Sequence, residues 1–536
     1  MNVRRPLVIA VALALGAVGN ARADEVSDLK AQMEAMQKQM DALKGRLEQV
    51  TKQVEAQKEA QQQQEAKNKQ FLQMTPGSGL TFLTPGGGDV TLYGNLDVSV
   101  DTTTKGLKSS YEDGGQPVGA MGWMGAISTN LSYVGVRGRH PFDPNFNLIW
   151  QLEAGIDISA TPGTKASNSN TSDAVTGALF SRNSFIGFSG ADWGAVMVGK
   201  SETPYKLSTD RLNPFSGMIG DYRVIMGNTG GDNRVEFAYR APHAIWYNSP
   251  TWNGLALNVL YSPGQNRSSS GTDLGANNNL ASAESDCAGG NIPGSGALPP
   301  SCNDGSFGNL TSVAGTFTYG PLYVTAAYEQ HNAVNRSSDT IGFPTTPPED
   351  TQGDPNDVAN ETAWKVAAQY ALPTKTTIGY IYEKFHRNVP AYLEYQNERQ
   401  RWGSWLVVTQ ALTEKDVLSG GWAHAAATPG DPGQHNTPGG SNPDNAANMY
   451  TVAWKHMLDR STTIYADWAM TVNHADAHYD LGAGGHGVTT DCHDASQQAA
   501  FDPTANGGAG GVTGNGPHCF AGGRLQGFSV GVNYRF

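Results

Sequence analysis

The sequence predicts an all-β protein, a 16-stranded antiparallel transmembrane β-barrel preceded by a signal peptide and a periplasmic α-helical coiled coil. Two observations predict the barrel, and a third predicts the helix. Apolar residues recur at every second position in about sixteen segments. The connections between those segments alternate strictly between short and long. Residues 24–70, by contrast, follow a heptad pattern.

The first residues read as an address. Arg4 and Arg5 precede the apolar run from Leu7 to Val18, and Ala21-Arg22-Ala23 places small residues at −3 and −1, so cleavage is expected after Ala23. The run is too short to span a bilayer. Removing residues 1–23 deletes three arginines and no acid, taking the formal charge from −13 to −16.

In residues 24–70, Val26, Leu29, Met33, Met36, Met40, Leu43, Leu47, Val50 and Val54 alternate steps of three and four, and Gln57, Gln61 and Gln64 continue the register. Such a narrow seam, with charges at the outer positions, favours helix self-association over one helix lying on a domain. At 1.5 Å per residue the rod from Val26 to Gln64 would be roughly 58 Å long. Residues 71–88, with Pro76, Pro85 and three consecutive glycines, read as a flexible linker to the barrel at 89–536.

The barrel begins at Val90. Val90, Leu92, Leu96, Val98 and Val100 share one face of a strand, and Thr91, Tyr93, Asn95, Asp97, Ser99 and Asp101 share the other. Equivalent segments follow near 128–139, 146–158, 181–189, 194–201, 241–248, 255–262, 309–319, 322–331, 363–372, 375–386, 400–410, 415–424, 448–457, 461–471 and 524–536. Most approach the roughly 9–11 residues that a tilted strand needs to cross a bilayer. Seven short connections, such as Gly320–Pro321, alternate with eight long ones, as in outer-membrane barrels with short periplasmic turns and longer external loops. In the last strand Phe528, Val530, Val532, Tyr534 and Phe536 form an apolar row that suits lipid on one side and water on the other. Beyond the N-terminus no run of 18 apolar residues exists, which excludes helical spans.

Four cysteines suit an oxidising compartment. Cys287 and Cys302 fall in one long loop, Cys492 and Cys519 in another, and two intraloop disulfides are the expected pairing. A metal site built on the second pair with His474, His478, His486, His493 and His518 is the alternative, although no CxxC spacing supports it. No HExxH motif and no His–Ser pair at matching strand depths suggests an enzyme, no cofactor is implied, and no basic tract suggests nucleic-acid binding.

Several segments carry a family resemblance. Val90-Thr91-Leu92-Tyr93-Gly94-Asn95-Leu96-Asp97, Leu131 to Gly138, Gln151-Leu152-Glu153, Ser181 to Gly187, Arg240 to Pro250 and the strand ending in Phe536 resemble, in order and spacing, motifs of the general porins of Gram-negative outer membranes. The resemblance implies a trimer embedded in outer-membrane lipid and lipopolysaccharide that passes small hydrophilic solutes and ions without catalysis. It also implies that the third long loop, Glu202 to Arg240, folds into the lumen. Its charges would then be Glu202, Asp210, Arg211, Asp221, Arg223, Asp232, Arg234 and Glu236, with Lys206 and Arg240, facing a wall of Arg137, Arg182 and Lys200. Tyr133 stands where the family often has arginine, and His243-Ala244 replaces Asn-Ser, so strong anion selectivity is not expected. With −15 carried by residues 71–536, mild cation preference is expected. The coiled coil lies outside the common pattern. It would hang into the periplasm, either locking subunits together or reaching the peptidoglycan. A substrate-selective channel and a structural tether are the alternatives to a general diffusion channel.

Overall fold

A computed structural model describes residues 30–47, 49–52, 79–107, 121–156, 182–227, 240–263, 308–335, 358–388, 400–429, 444–474 and 523–536, with a few positions besides. The chain divides into two compact units, 1–67 and 68–536. The signal peptide and residues 71–78 of the linker lie outside the described residues.

In the first unit, residues 30–47 and 49–52 are helical. Met33, Met36, Met40, Leu43, Leu47 and Val50 are 44–67% exposed. This apolar stripe is therefore uncovered in the single chain.

The second unit is a closed antiparallel β-barrel. Its strands are β1 (Leu80–Leu83), β2 (Asp89–Leu107), β3 (Met121–Thr129), β4 (Tyr133–Asp143), β5 (Phe146–Gly155), β6 (Ser184–Gly190), β7 (Gly194–Glu202), β8 (Arg240–Asn248), β9 (Leu255–Ser262) and β10 (Asn309–Tyr319). They continue as β11 (Leu322–Asn335), β12 (Val358–Ala371), β13 (Thr376–Arg387), β14 (Trp402–Ala411), β15 (Asp416–Ala425), β16 (Ala447–Met457) and β17 (Thr462–Asn473). Two-residue strands β18 (Phe501–Asp502) and β19 (Gly511–Val512) pair only with each other, and β20 (Gly523–Arg535) ends the sheet. Each strand from β4 to β16 pairs with its successor, β17 pairs with β20, and β20 closes the cylinder on β2 from Asn95↔Arg535 to Leu107↔Gly523. A final reciprocal pair of bonds joins Gly94 to Phe536, at 2.9 and 3.1 Å.

β3 and β4 are one barrel strand, broken at Asn130–Ser132, so the circuit contains the sixteen strands that the alternation predicts. Leu131 takes a left-handed conformation (φ 56°) at the break. The backbone that Asp97 would otherwise leave unpaired is recovered there: Asn130 N–H donates to Asp97 O, and Ser132 Oγ bonds both Asp97 N (2.8 Å) and O (3.0 Å).

One expectation fails. Residues 80–88 are not a flexible joint, because β1 pairs with the start of β2, from Leu80↔Leu92 to Leu83↔Asp89. Leu80 and Phe82 thereby extend the outward apolar row of β2, which a free linker would not do.

The strands are inside out relative to a soluble protein. In β2, Thr91, Asn95, Asp97, Ser99, Asp101 and Thr103 are buried in the lumen while Val100 lies exposed outside. Outward aromatics form two belts, as two membrane–water interfaces require. Near the short turns, Phe146 stacks on Phe188 (5.1 Å) and Tyr534 on Phe536 (5.8 Å). Toward the long loops, Trp364, Tyr382 and Trp402 form a chain with ring separations of 5.4 and 6.0 Å.

Candidate pore constriction

The third long loop leaves β7 at Glu202 and turns into the barrel. Thr203 Oγ1 accepts from Lys206 N–H (3.3 Å) and caps one helical turn, Pro204–Leu207, with proline where no donor is needed. Two 3₁₀ turns follow, Asp210–Leu212 and Tyr222–Val224. Leu212, Phe215, Met218, Ile219, Ile225 and Met226 are fully buried although they belong to a loop, because they pack on the inner wall of the barrel.

The far wall holds the loop largely through loop backbone atoms. Ser312 Oγ accepts from Tyr205 N–H (3.0 Å), and Tyr323 O–H donates to Ser208 O (2.6 Å). Trp405 Nε1 donates to Leu212 O (2.9 Å) while its ring stacks on Tyr222 (5.2 Å) and takes Phe215 edge-on (5.9 Å). Lys455 Nζ donates to Pro214 O (2.5 Å), and Gly220 N–H reaches Leu481 O (2.9 Å). On the return leg Arg401 Nη2 donates to Ile225 O (2.5 Å) and Glu383 Oε1 accepts from Gly227 N–H (2.8 Å). The inward positions beneath the loop are small or apolar, including Val407, Ala423, Ala425, Ala447, Met449 and Ala453, so these strands carry apolar residues on both faces.

Asp221 organises the loop tip. Its buried carboxylate accepts from Asn213 Nδ2 (2.9 Å), Gly217 N–H (3.3 Å) and three groups of Arg223: N–H (3.0 Å), Nε (3.1 Å) and Nη2 (2.9 Å). Burial alone would raise its pKa, but the Arg223 charge and these donors outweigh burial and hold it below the ordinary 3.8. Arg223 also lies 3.5 Å from Asp210, which is half-exposed, and burial of the guanidinium is outweighed by both carboxylates, which push it above the ordinary arginine value. Arg211 lies over the Tyr323 ring (4.2 Å) and donates to Gln369 (2.8 Å). Glu202 bridges Lys206 (2.6 Å) and Arg240 (2.9 Å).

The predicted wall residues lie opposite. Arg182 pairs with Glu153 (2.6 Å) and lies over the Tyr133 ring (4.7 Å), so the tyrosine found in place of arginine forms a platform for the next guanidinium. Arg137 lies over Tyr93 (4.7 Å), whose hydroxyl reaches Glu153 (3.0 Å). Lys200 pairs in register with Ser184 on the same wall. Asp232, Arg234, Glu236, the four cysteines and His478, His486, His493 and His518 lie outside the described residues. His474 is described and pairs with Asp444 (2.8 Å). No group of three His, Cys, Asp or Glu side chains poised for a metal occurs among the described residues.

Sequence reasoning missed several loop anchors, among them Trp405, Glu383, Arg401 and Lys365, whose ammonium donates to Thr209 Oγ1 (2.8 Å), and the acidic wall of Asp97, Asp101 and Asp467. It also passed over Gly527-Phe528-Ser529-Val530-Gly531, which spells G-x-S-x-G. Ser529 sits in mid-strand, paired with Asp101 and Asp467, and not on the strand-to-helix turn that exposes a hydrolase nucleophile.

A closed sixteen-strand barrel with an apolar outside, a polar inside and a loop fastened across the lumen defines a channel of the outer-membrane type. The family model for Gram-negative porins matches residues 71–476, and the chain belongs to that family. It is a channel of the outer membrane for passive diffusion. Among solved structures, an anion-selective porin from Comamonas acidovorans is similar, with a TM-score of 0.52 and 16% identity over 84% of this chain and 100% of that one. OmpT of Vibrio cholerae (TM-score 0.45, 14% identity, 85% and 100% covered) and the DcaP channel of Acinetobacter baumannii (0.46, 12%, 85% and 99%) are also similar. No curated protein matches the sequence.

Proposed function

We propose that this porin is a trimeric general diffusion channel with mild cation preference, narrowed by residues 203–227 and extended into the periplasm by a coiled coil. The observation that carries the reading is the loop itself, whose backbone is bonded across the lumen to the inner faces of β10, β11, β13, β14 and β16. A loop so placed narrows the water path, and its side chains and the facing wall set the local field.

Local charge supports cation preference more than the net charge does. Four basic groups of the wall and loop lie against carboxylates, Arg182 on Glu153, Arg240 and Lys206 sharing Glu202, and Arg223 on Asp221. Beside the acidic wall at the seam of first and last strands, the Lys455 ammonium is bonded to Pro214 O and Arg535 to Asn95. The reading thus differs from the anion selectivity named for the Comamonas protein. Cleavage after Ala23, disulfides Cys287–Cys302 and Cys492–Cys519, and a role without catalysis complete it.

The exposed stripe from Met33 to Val50 supports helix association, since one helix would leave it in water. Three porin subunits would bring three such helices together. A tether to peptidoglycan is the second reading of the same rod. Planar-bilayer recording in a KCl gradient tests the whole proposal. Stepwise ohmic conductance with a modestly cation-selective reversal potential is expected. Silent, well-folded protein refutes the channel, firm anion selectivity refutes the charge argument, and block by one solute at micromolar concentration favours a substrate-selective channel.

A further inference from the structure

Near the long loops, the outward face of β11–β14 carries one row in register, Tyr328↔Trp364, Trp364↔Lys384 and Lys384↔Trp402. The three aromatic side chains are 40–42% exposed, and Lys384 is exposed between the two tryptophans. Strands lie ~4.8 Å apart, so the tryptophan backbones bracket the lysine across about 10 Å. One step toward the short turns, the Tyr382 ring lies against both indoles and forms the floor of this bracket. One step toward the long loops, His386 Nδ1 meets Gln400 Oε1 (2.9 Å). Alongside, polar groups run up β11: Tyr328 O–H donates to Gln330 Oε1 (3.0 Å), Gln330 Nε2 to Asn332 Oδ1 (2.6 Å), and Asn332 Nδ2 to Asn309 Oδ1 (2.8 Å).

The face is positive. Lys384 meets no hydrogen-bond or ion-pair partner among the described residues. The acids of the same strand ends, Glu329, Glu361 and Glu383, point inward and are buried. A lysine facing lipid is costly at the bilayer midplane and tolerated near the interface, and the tryptophan and tyrosine belt puts Lys384 at the interface. The long loops face outward, so this interface belongs to the outer leaflet. An ammonium there pairs with phosphate as a point charge through short, charge-assisted hydrogen bonds. Phosphate alone would leave the rest of the surface unused. Exposed rings with an apolar body and a polar edge receive the C–H face of a sugar, and the flanking amides match its hydroxyls.

We propose that Lys384, framed by Trp364 and Trp402, binds the phosphate of a phosphorylated sugar headgroup on an outer-leaflet glycolipid, with Gln330 and Gln400 at its rim. The inference rests on the outward placement of the long loops in the channel reading. It lies on the outside of the barrel, so it predicts lipid recognition that leaves the pore unchanged.

The test uses the full chain folded in detergent micelles and titrated with a bisphosphorylated glucosamine-disaccharide lipid, bound copies being counted by native mass spectrometry. The wild-type protein should bind this lipid at least tenfold more tightly than its dephosphorylated form or phosphatidylglycerol. Lys384→Gln should weaken binding at least tenfold and Trp402→Leu at least threefold, while Lys384→Arg retains it. Lys375→Gln, at an exposed short turn, should leave it unchanged. Should Lys384→Gln fail to fold, amine labelling of the wild-type protein reads the same site: the glycolipid should protect Lys384 at least fivefold, and no protection overturns the proposal. Equal binding of the phosphorylated and dephosphorylated lipids overturns the phosphate contact, and equal binding of phosphatidylglycerol overturns the sugar contact. Lys384→Gln that separates trimers while lipid binding holds makes this face a subunit contact and also overturns the site. Conduction without glycolipid binding refutes the site alone, and binding by a protein that conducts no ions refutes the channel reading alone.

Discussion

Replacing Asp221 with alanine should loosen the loop tip without loosening the barrel. The carboxylate is buried and gathers five hydrogen bonds from Asn213, Gly217 and Arg223, so its loss strands an amide, two backbone donors and most of a guanidinium. Removing one partner of a buried ion pair costs about 3–5 kcal/mol. Arg223 keeps Ser216 Oγ (2.8 Å) and stays near Asp210, which places the cost at the lower end, about 3 kcal/mol. That is roughly a hundredfold rise in the population of undocked tips. The bonds from Trp405 to Leu212 and from Arg401 to Ile225 lie outside the tip and should still hold the loop ends. Single-channel records should therefore show larger mean conductance with rapid flicker, while thermal unfolding of the barrel hardly moves. Conductance and noise indistinguishable from wild type in well-folded Asp221→Ala would refute the claim that this tip sets the constriction.

Three further outcomes are expected. Because the folded state holds the Asp221 carboxyl below its ordinary 3.8, its contribution is complete above that value and disappears as pH falls through the depressed one, so flicker should stay absent at pH 5 and begin only below pH 3.8. Gly531→Val should lower the temperature of barrel unfolding, by about 1–3 kcal/mol of overpacking, because the Tyr465 ring that bonds Asp97 lies directly over the glycine; an unchanged melting temperature by circular dichroism would contradict this. Deleting residues 24–70 should leave conduction intact and lower the temperature at which trimers separate on a gel, whereas release from sedimented cell wall at unchanged trimer stability would favour the tether.

The sixteen strands were legible because lipid and water act on opposite sides of each strand, so the period of two survives into composition. Loop lengths added the orientation. What stayed hidden was tertiary. Inward residues of β14–β16 such as Val407, Ala423 and Met449 look like a second lipid face, and only the docked loop explains them. β1 resembles a linker in sequence because the five residues between Gly79 and Pro85 carry little pattern, and its pairing with β2 is what makes it a strand. At the constriction, the charges were visible but their partners were not. Arg223 bonds within its own loop, Arg182 bonds across to Glu153, and neither choice follows from spacing.

The loop is held chiefly by its carbonyls and amides. The side chains that grip it, Tyr323, Trp405, Lys455, Arg401 and Glu383, all belong to the wall. Every residue type offers the same carbonyl, so exposed loop positions such as Asp210 and Arg211 can change identity while the path of the chain stays fixed. The shape of the aperture and its chemical taste are thereby inherited largely separately: substitutions in the wall, or of a buried loop residue such as Asp221, alter the first, and substitutions at exposed loop positions retune the second.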